Sequence, residues 1–436
     1  MRVTPLARTR KKKEERRQYP LSQIYFYLTE GCNLACRHCW IAPKYQGRGA
    51  KGKGNPAPYL DYDLFTSIIA QAKPLGLSGV KLTGGEPLLH PDIRQIIGHL
   101  KEQNLGVTVE TNGVLCTKEL ARLIASCKNP FVSVSLDGVE APTHEWVRGV
   151  RGSFKAAVRG VRNLVAAGLH PQIIMTVMRR NQDQMKAMVL LAQDLRAGSV
   201  KFNIVQPTAR GEKMHNAGET LSIDEIVATG RWVEEILVPA SRIGVFYSHP
   251  AVFRPLGRMF GSGWGGCGVC GILSIMGVLG NGFYALCGIG ETVPELVFGH
   301  AATDRLEDIW RDSPVLNELR EGMPVRLEGI CGRCIMKGLC LGSCVAQNYY
   351  RSRNLWAGYW FCEEALNQGL FPESRLAGVA GVHGRLHHHG PMRASISATG
   401  PDTVIHDQRP PGSNEGARRG MHLRKYHSPD ADDSSP

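Results

Sequence analysis

Thr29-Glu-Gly-Cys32-Asn-Leu-Ala-Cys36-Arg-His-Cys39-Trp40 follows directly on the apolar stretch Ile24-Tyr-Phe-Tyr-Leu28. A short apolar run reads as a strand, so the cysteines stand in a loop at its C-terminal end, spaced C-x3-C-x2-C. Three thiolates at this spacing can each hold one iron of a cubane cluster and leave the fourth iron without a protein ligand. An open coordination position is what a catalytic metal centre requires. The alternatives are a zinc loop or three free thiols. Zinc would want a fourth ligand, and His38, lying between two of the cysteines, is poorly placed to supply it.

Working outward, apolar strand patterns alternate with helical ones. Strands are expected at Val80 to Leu82, Val107 to Val109, Phe131 to Leu136, Ile173 to Val177 and, last, Val200 to Val205. Helices are expected at Leu64 to Ala72, Ile93 to Leu100, Lys118 to Ala125, Phe154 to Ala167 and Met185 to Leu195. Six strands alternating with helices indicate an α/β chain of βαβ units around a parallel sheet. Six units fall short of the eight that close a full barrel. The expectation is an open, partial (β/α)6 TIM-like barrel over residues 20–206, with function at the C-terminal ends of its strands. Residues 207–260 read as a helical connector. A glycine- and cysteine-rich domain follows over 261–375. Residues 1–19 read as a disordered basic arm. Residues 376–436, which include His387, His388 and His389, read as a disordered tail whose composition cannot bury a core.

The second domain carries a second constellation, Cys331-x2-Cys334-x5-Cys340-x3-Cys344, with Cys267, Cys270 and Cys287 upstream and Cys362 downstream. Eight cysteines are the right number for two fully ligated 4Fe–4S clusters. A pair of zinc ribbons is the competing reading, because C-x2-C knuckles recur in zinc sites. Cys116 and Cys127 are left over and read as inert buried thiols.

The first constellation resembles that of the radical SAM superfamily, and other positions agree over residues 20–205. Thr83-Gly84-Gly85-Glu86-Pro87 ends the second strand, Glu110-Thr111-Asn112-Gly113 the third, and Ser133-Val134-Ser135-Leu136-Asp137-Gly138 the fourth. The resemblance implies that Cys32, Cys36 and Cys39 hold a 4Fe–4S cluster. It implies that Gly84, Gly85 and Glu86 hold the methionyl amine of S-adenosylmethionine (SAM), and that Asn112, Ser133 and Ser135 contact its sugar and carboxylate. Taken singly, these segments are also ordinary turn chemistry. The second array resembles the SPASM domain of peptide-modifying radical SAM enzymes. That resemblance implies one auxiliary 4Fe–4S cluster on Cys267, Cys270, Cys287 and Cys344 and another on Cys331, Cys334, Cys340 and Cys362. The close C-x2-C spacing of Cys267 and Cys270 departs from the family pattern and leaves their partition open.

The implied enzyme cleaves SAM reductively and uses a 5′-deoxyadenosyl radical to oxidise a ribosomally synthesised precursor peptide, forming a cross-link or a heterocycle. Electrons would come from a ferredoxin- or flavodoxin-type donor. Segments Ala285 to Val297 and Leu370 to Ser374 resemble maturases of the thio(seleno)oxazole type. The alternatives are oxidation of a small molecule such as a tetrapyrrole, and formylglycine formation in a sulfatase. No motif separates the acid/base candidates Asp137, Glu110, His144 and Tyr247 from structural residues.

Composition fits this class. The 436 residues are 43% hydrophobic and 21% charged, as in ordinary globular enzymes. No apolar run reaches the length of a membrane span, and Met1 to Arg17 has no apolar core of a secretory signal. A cytoplasmic location is expected, where thirteen cysteines serve metals more readily than disulfides. Only about twenty residues precede the first strand, so no precursor-binding winged-helix domain is expected ahead of it. The net charge is +13. Six of these charges lie in the N-terminal arm, and the metallated core would be near neutral. A nucleic-acid partner is therefore not expected, nor is a membrane.

Overall fold

The computed structural model describes residues 19–46, 57–260 and 270–378. The basic arm up to Gln18, the tail beyond Gly378 with its three histidines, and Cys267 lie outside the described residues. Six parallel strands form the partial barrel: β1 (Gln23–Tyr27), β2 (Gly79–Thr83), β3 (Gly106–Thr111), β4 (Lys128–Ser135), β5 (Gln172–Val177) and β6 (Ser199–Ile204). Each pairs in parallel with the next in chain order.

The strands separate an outer apolar face from an inner polar one. In β1, Ile24 and Phe26 are fully buried against the helices, while Tyr25 turns to the lumen half-buried. In β6, Val200 and Phe202 are buried and Lys201 and Asn203 alternate with them. Side chains two apart on a strand share a face, so one face of the sheet binds helices and the other lines the barrel. The outer layer comprises α1 (Tyr62–Ala72), α2 (Ile93–Glu102), α3 (Lys118–Ala125), α4 (Ala141–Arg148), α5 (Ser153–Ala166) and α6 (Met185–Asp194). Helix α2 shows the cause plainly: Ile93, Ile96, Ile97 and Leu100 recur at helical spacing and are all buried. Asp61 caps α1 by accepting from Leu64 N–H at 3.0 Å, and Thr117 caps α3 through Leu120 N–H at 3.3 Å.

Two differences from the sequence expectation matter for the site. Strand β6 is not the last. The segment read as a helical connector contributes β7 (Gly244–Tyr247), parallel to β6, and the Cys-rich segment contributes β8 (Ile275–Val278), parallel to β1. Antiparallel β9 (Phe283–Ala285) and β10 (Val297–His300) complete a ten-stranded sheet in the order β10-β9-β8-β1-β2-β3-β4-β5-β6-β7. Four-residue apolar runs carry no period, so sequence alone cannot assign them. Helix α4 was also missed. Its buried face is Thr143, His144, Val147 and Arg148, too polar to register as an apolar stripe. No helix among the described residues is long and apolar enough to cross a membrane.

Candidate functional site

Cys32 and Cys36 are buried and Cys39 is half-buried in the loop after β1. Helix α4 fixes this loop from one side: Ala35 and Arg37 donate their N–H groups, each at 3.0 Å, to the carbonyls of Arg148 and Val147 at the end of α4. Arg210 holds it from another side, donating to the carbonyls of Cys36 at 3.2 Å and Pro43 at 3.0 Å. The thiols therefore ride on a loop that other contacts position. Burial pushes the Cys32 thiol well up, with Glu86, Cys36 and Cys39 adding to it. A metal-bound thiolate is the ordinary resolution of such a cluster of buried thiols. Among the described residues, no three His, Cys, Asp or Glu side chains already close on a single ion. A cubane presents a different iron to each thiolate, so its ligands need not converge on one point.

Gly84 and Gly85 lie against this loop. Gly85 donates to Thr29 O at 2.9 Å and Glu86 N–H to Gly31 O at 2.9 Å. A Cβ on Gly85 would fall 2.0 Å from the Gly31 carbonyl oxygen, and Gly84 sits at φ +124°. Both positions need glycine for the close approach. The Glu86 carboxylate is buried and held from inside the chain by three hydrogen bonds. It accepts from Thr111 Oγ1 at 2.6 Å, from Asn112 N–H at 2.8 Å and from Leu88 N–H at 3.1 Å. Glu86 thus ties the end of β2 to the end of β3. Asn112 reaches the cluster loop, with Nδ2 2.7 Å from Asn33 Oδ1 and 3.9 Å from Cys32 Sγ. Ser133 lies level with Glu110 on β3 and Gln172 on β5, and Ser135 lies level with Ile174. Val132 and Val134 face the helices, which leaves both serines on the lumen face.

Sequence reading did not find Arg148. Its Nη1 lies 3.6 Å from Cys36 Sγ, and its Nε lies 2.7 Å from Asp137 Oδ2 as an ion pair rather than an aligned hydrogen bond. Asp137 also accepts from Thr176 N–H at 2.8 Å. Burial alone would raise the Asp137 carboxyl, but the Arg148 guanidinium, His38 and the Thr176 N–H hold it below the ordinary range. Burial pushes His38 down to about 4 against the pull of Asp137, so its ring is neutral at pH 7. His144, fully buried, accepts from Asp137 N–H at 3.3 Å, and Tyr247, also in the core, donates to Ile226 O at 3.2 Å. Of the four acid/base candidates, these two and Asp137 are buried and held by partners inside the chain. Glu110 remains open to the lumen, its side chain 38% exposed. Cys116 and Cys127 are both buried, and burial pushes the Cys116 thiol up to about 12.

Among the described residues, the other cysteines fall into two groups. Cys331, Cys334, Cys340 and Cys362 line one cavity together with Met336, Tyr359 and Phe371. Backbone donors already point at two of its sulfurs: Tyr359 N–H at 3.3 Å from Cys331 Sγ and Met336 N–H at 3.4 Å from Cys334 Sγ. Such N–H groups suit thiolates that carry cluster charge. Cys344 belongs elsewhere. It raises the pKa of both Cys270 and Cys287, behind the burial that dominates each. Leu341, Gly342 and Ser343 all take left-handed φ values of +51°, +74° and +61°. Three such residues in a row cost roughly 1–2 kcal/mol for each non-glycine member. They reverse the chain between Cys340 and Cys344.

Near the cluster loop, Glu30 pairs with Lys44 at 3.5 Å. Burial, and then the Glu30 charge, push the half-buried Glu291 carboxyl up to about 7. A raised carboxyl favours folding below its ordinary pKa, and that contribution is lost as pH rises through 7. Glu291→Gln is therefore expected to stabilise the anaerobic protein at pH 8 by about 1 kcal/mol after allowing for solvent screening, read as a higher thermal midpoint. The gain should fade toward pH 5, and scans at the two pH values check it.

Residues 26–192 match the Radical SAM superfamily. The AdoMet-dependent heme synthase of Methanosarcina barkeri is 29% identical over 344 residues, covering 75% of this chain and 91% of that one. The mycofactocin maturase MftC of Mycobacterium ulcerans is 29% identical over 331 residues, covering 74% and 82%. The crystal structure of Streptococcus suis SuiB bound to the precursor peptide SuiA aligns with a TM-score of 0.60 at 17% identity, over 79% of this chain and 76% of that one. At that identity the likeness is one of fold.

Proposed function

From the match of residues 26–192 to the Radical SAM superfamily, we propose that this chain carries SAM and a 4Fe–4S cluster and oxidatively modifies a ribosomally synthesised peptide. The observation that carries the chemistry is the C-x3-C-x2-C loop held at the C-terminal mouth of the partial barrel. SAM bound at such a cluster supplies a one-electron oxidant that can remove hydrogen from an unactivated C–H bond.

In this reading Cys32, Cys36 and Cys39 bind the cluster and leave one iron open. Gly84 and Gly85 bring bare backbone to the amine side of SAM. Glu86, fixed in place by three internal hydrogen bonds, holds the amine with them through its remaining acceptor capacity. Asn112, Ser133 and Ser135 line the sugar and carboxylate side. Arg148 places positive charge beside Cys36 and tethers the loop to Asp137. Cys267, Cys270, Cys287 and Cys344 form one auxiliary site and Cys331, Cys334, Cys340 and Cys362 the other. With every position taken by cysteine, both suit electron transfer, fed or drained by a ferredoxin- or flavodoxin-type protein.

A peptide substrate is supported by the similarity to mycofactocin maturase and by the fold shared with SuiB. The match to 91% of a heme synthase supports a second reading, oxidation of a tetrapyrrole.

Anaerobic incubation with SAM and dithionite tests the chemistry: 5′-deoxyadenosine is expected, and its absence from cluster-loaded protein would contradict the assignment. Cys340→Ala should spare SAM cleavage and reduce substrate oxidation at least about tenfold. Equal loss of both would make the second domain a structural element.

A further inference from the structure

Deepening the reading above, on which it rests, we propose that the barrel lumen holds a carboxylate-binding site centred on Lys201, which receives an acidic group of the substrate. Lys201 lies on the lumen face of β6, between the buried Val200 and Phe202 and level with Ile174 of β5. Lys81 lies on β2, level with Tyr25 of β1. Its ammonium is fully engaged: Glu110 Oε1 is 2.9 Å away, and the Tyr25 ring centroid 4.2 Å. Glu110 spends its other oxygen on Thr83 Oγ1 at 3.3 Å. Lys201 has no hydrogen bond or ion pair among the described residues.

The charges that act on Lys201 are Glu110, Lys81 and Arg254. Lys81 and Lys201 therefore share one carboxylate, and that carboxylate is committed to Lys81. A largely buried ammonium without a partner is costly, and an incoming anion would relieve the cost. The lumen can admit one, since the Lys81 and Glu110 side chains stay 22% and 38% exposed.

A cluster thiolate could be the missing anion. Cys270 does act on Lys81 and on Tyr25, so the first auxiliary site borders that side of the lumen. Among the described residues, no cysteine acts on Lys201. Its partner must come with the substrate, and charge-assisted bonds to a carboxylate suit a lysine point charge. The carboxylate can be an Asp or Glu side chain, a peptide C-terminus or a tetrapyrrole propionate.

The test uses the full, cluster-loaded chain and two probe pairs that differ in charge alone. One pair is the peptide found to be modified on co-expression and its fully amidated form, with Asp→Asn, Glu→Gln and a C-terminal amide. The other is coproporphyrin III and its tetramethyl ester. Wild-type protein should bind the acid form of one pair at least about tenfold more tightly than the neutral form. Lys201→Met should reduce that preference to about twofold or less, and Lys201→Arg should keep most of it. Iron content and SAM affinity equal to wild type show that Lys201→Met is folded. If that variant misfolds, Lys201→Gln is read in its place.

No acid preference in the wild type, or a preference that survives Lys201→Met, overturns the site. Loss of preference for coproporphyrin III, with no peptide modified by wild-type protein, supports the lumen site while the peptide reading fails.

Discussion

Changing Cys32, Cys36 and Cys39 together to alanine is expected to abolish SAM cleavage and to lower bound iron from about twelve to about eight per chain. The fold should survive. The loop is held by Ala35 and Arg37 N–H groups on the end of α4 and by Arg210 on the Cys36 and Pro43 carbonyls, none of which involves a thiol. The remaining cysteines stand on other segments and should keep their iron. Parallel iron analysis and 5′-deoxyadenosine assay read the result. Undiminished cleavage would remove the first loop from the chemistry. Loss of all iron would mean that the first site organises the other two.

Asp137→Ala is expected to destabilise the chain by about 3–5 kcal/mol, because it leaves the buried Arg148 guanidinium without its carboxylate. The loss reaches further than one ion pair. Asp137 also anchors Thr176 N–H on β5, and the carbonyl of Arg148 itself holds Ala35 in the cysteine loop. Iron in the first site should fall along with stability. The double variant Asp137→Ala/Arg148→Met removes both charges and should be more stable than Asp137→Ala alone. Thermal midpoints of the anaerobic proteins give the cycle. A double variant that loses the sum of the two singles would show that Asp137 and Arg148 do not act as a pair.

How much of this was legible in the sequence follows from what carries a local signal. The six barrel strands were, since Ile24, Phe26, Val200 and Phe202 alternate with polar residues or form apolar runs. The helix Lys118–Ala125 was legible to the residue, and the structure adds Thr117 as its cap and Leu120, Ala121 and Ile124 as its buried face. The cysteine spacings point to metal chemistry independently of the fold. The four-residue strands β7 and β8 were not legible, because what makes them strands is the sheet edge waiting at β6 and β1. Helix α4 was hidden by its own function: its buried face carries His144 and Arg148, which serve the Asp137 network. The division of Cys340 from Cys344 depends on three successive left-handed residues. Only Gly342 of those three announces such a conformation. Lys201 gave no signal, since a lysine in a strand gains meaning only when its neighbours across the barrel are known.

The most direct test of the central claim is the intact mass of each short peptide encoded beside the gene, after anaerobic co-expression with the wild-type chain and with the Cys32/Cys36/Cys39 triple alanine variant. A peptide lighter by two hydrogens, or by water plus two hydrogens, with the wild type and unchanged with the variant is the predicted result. The first change marks a cross-link or simple oxidation and the second an azole. No change in any peptide, while purified enzyme still forms 5′-deoxyadenosine and consumes a tetrapyrrole, would contradict the claim.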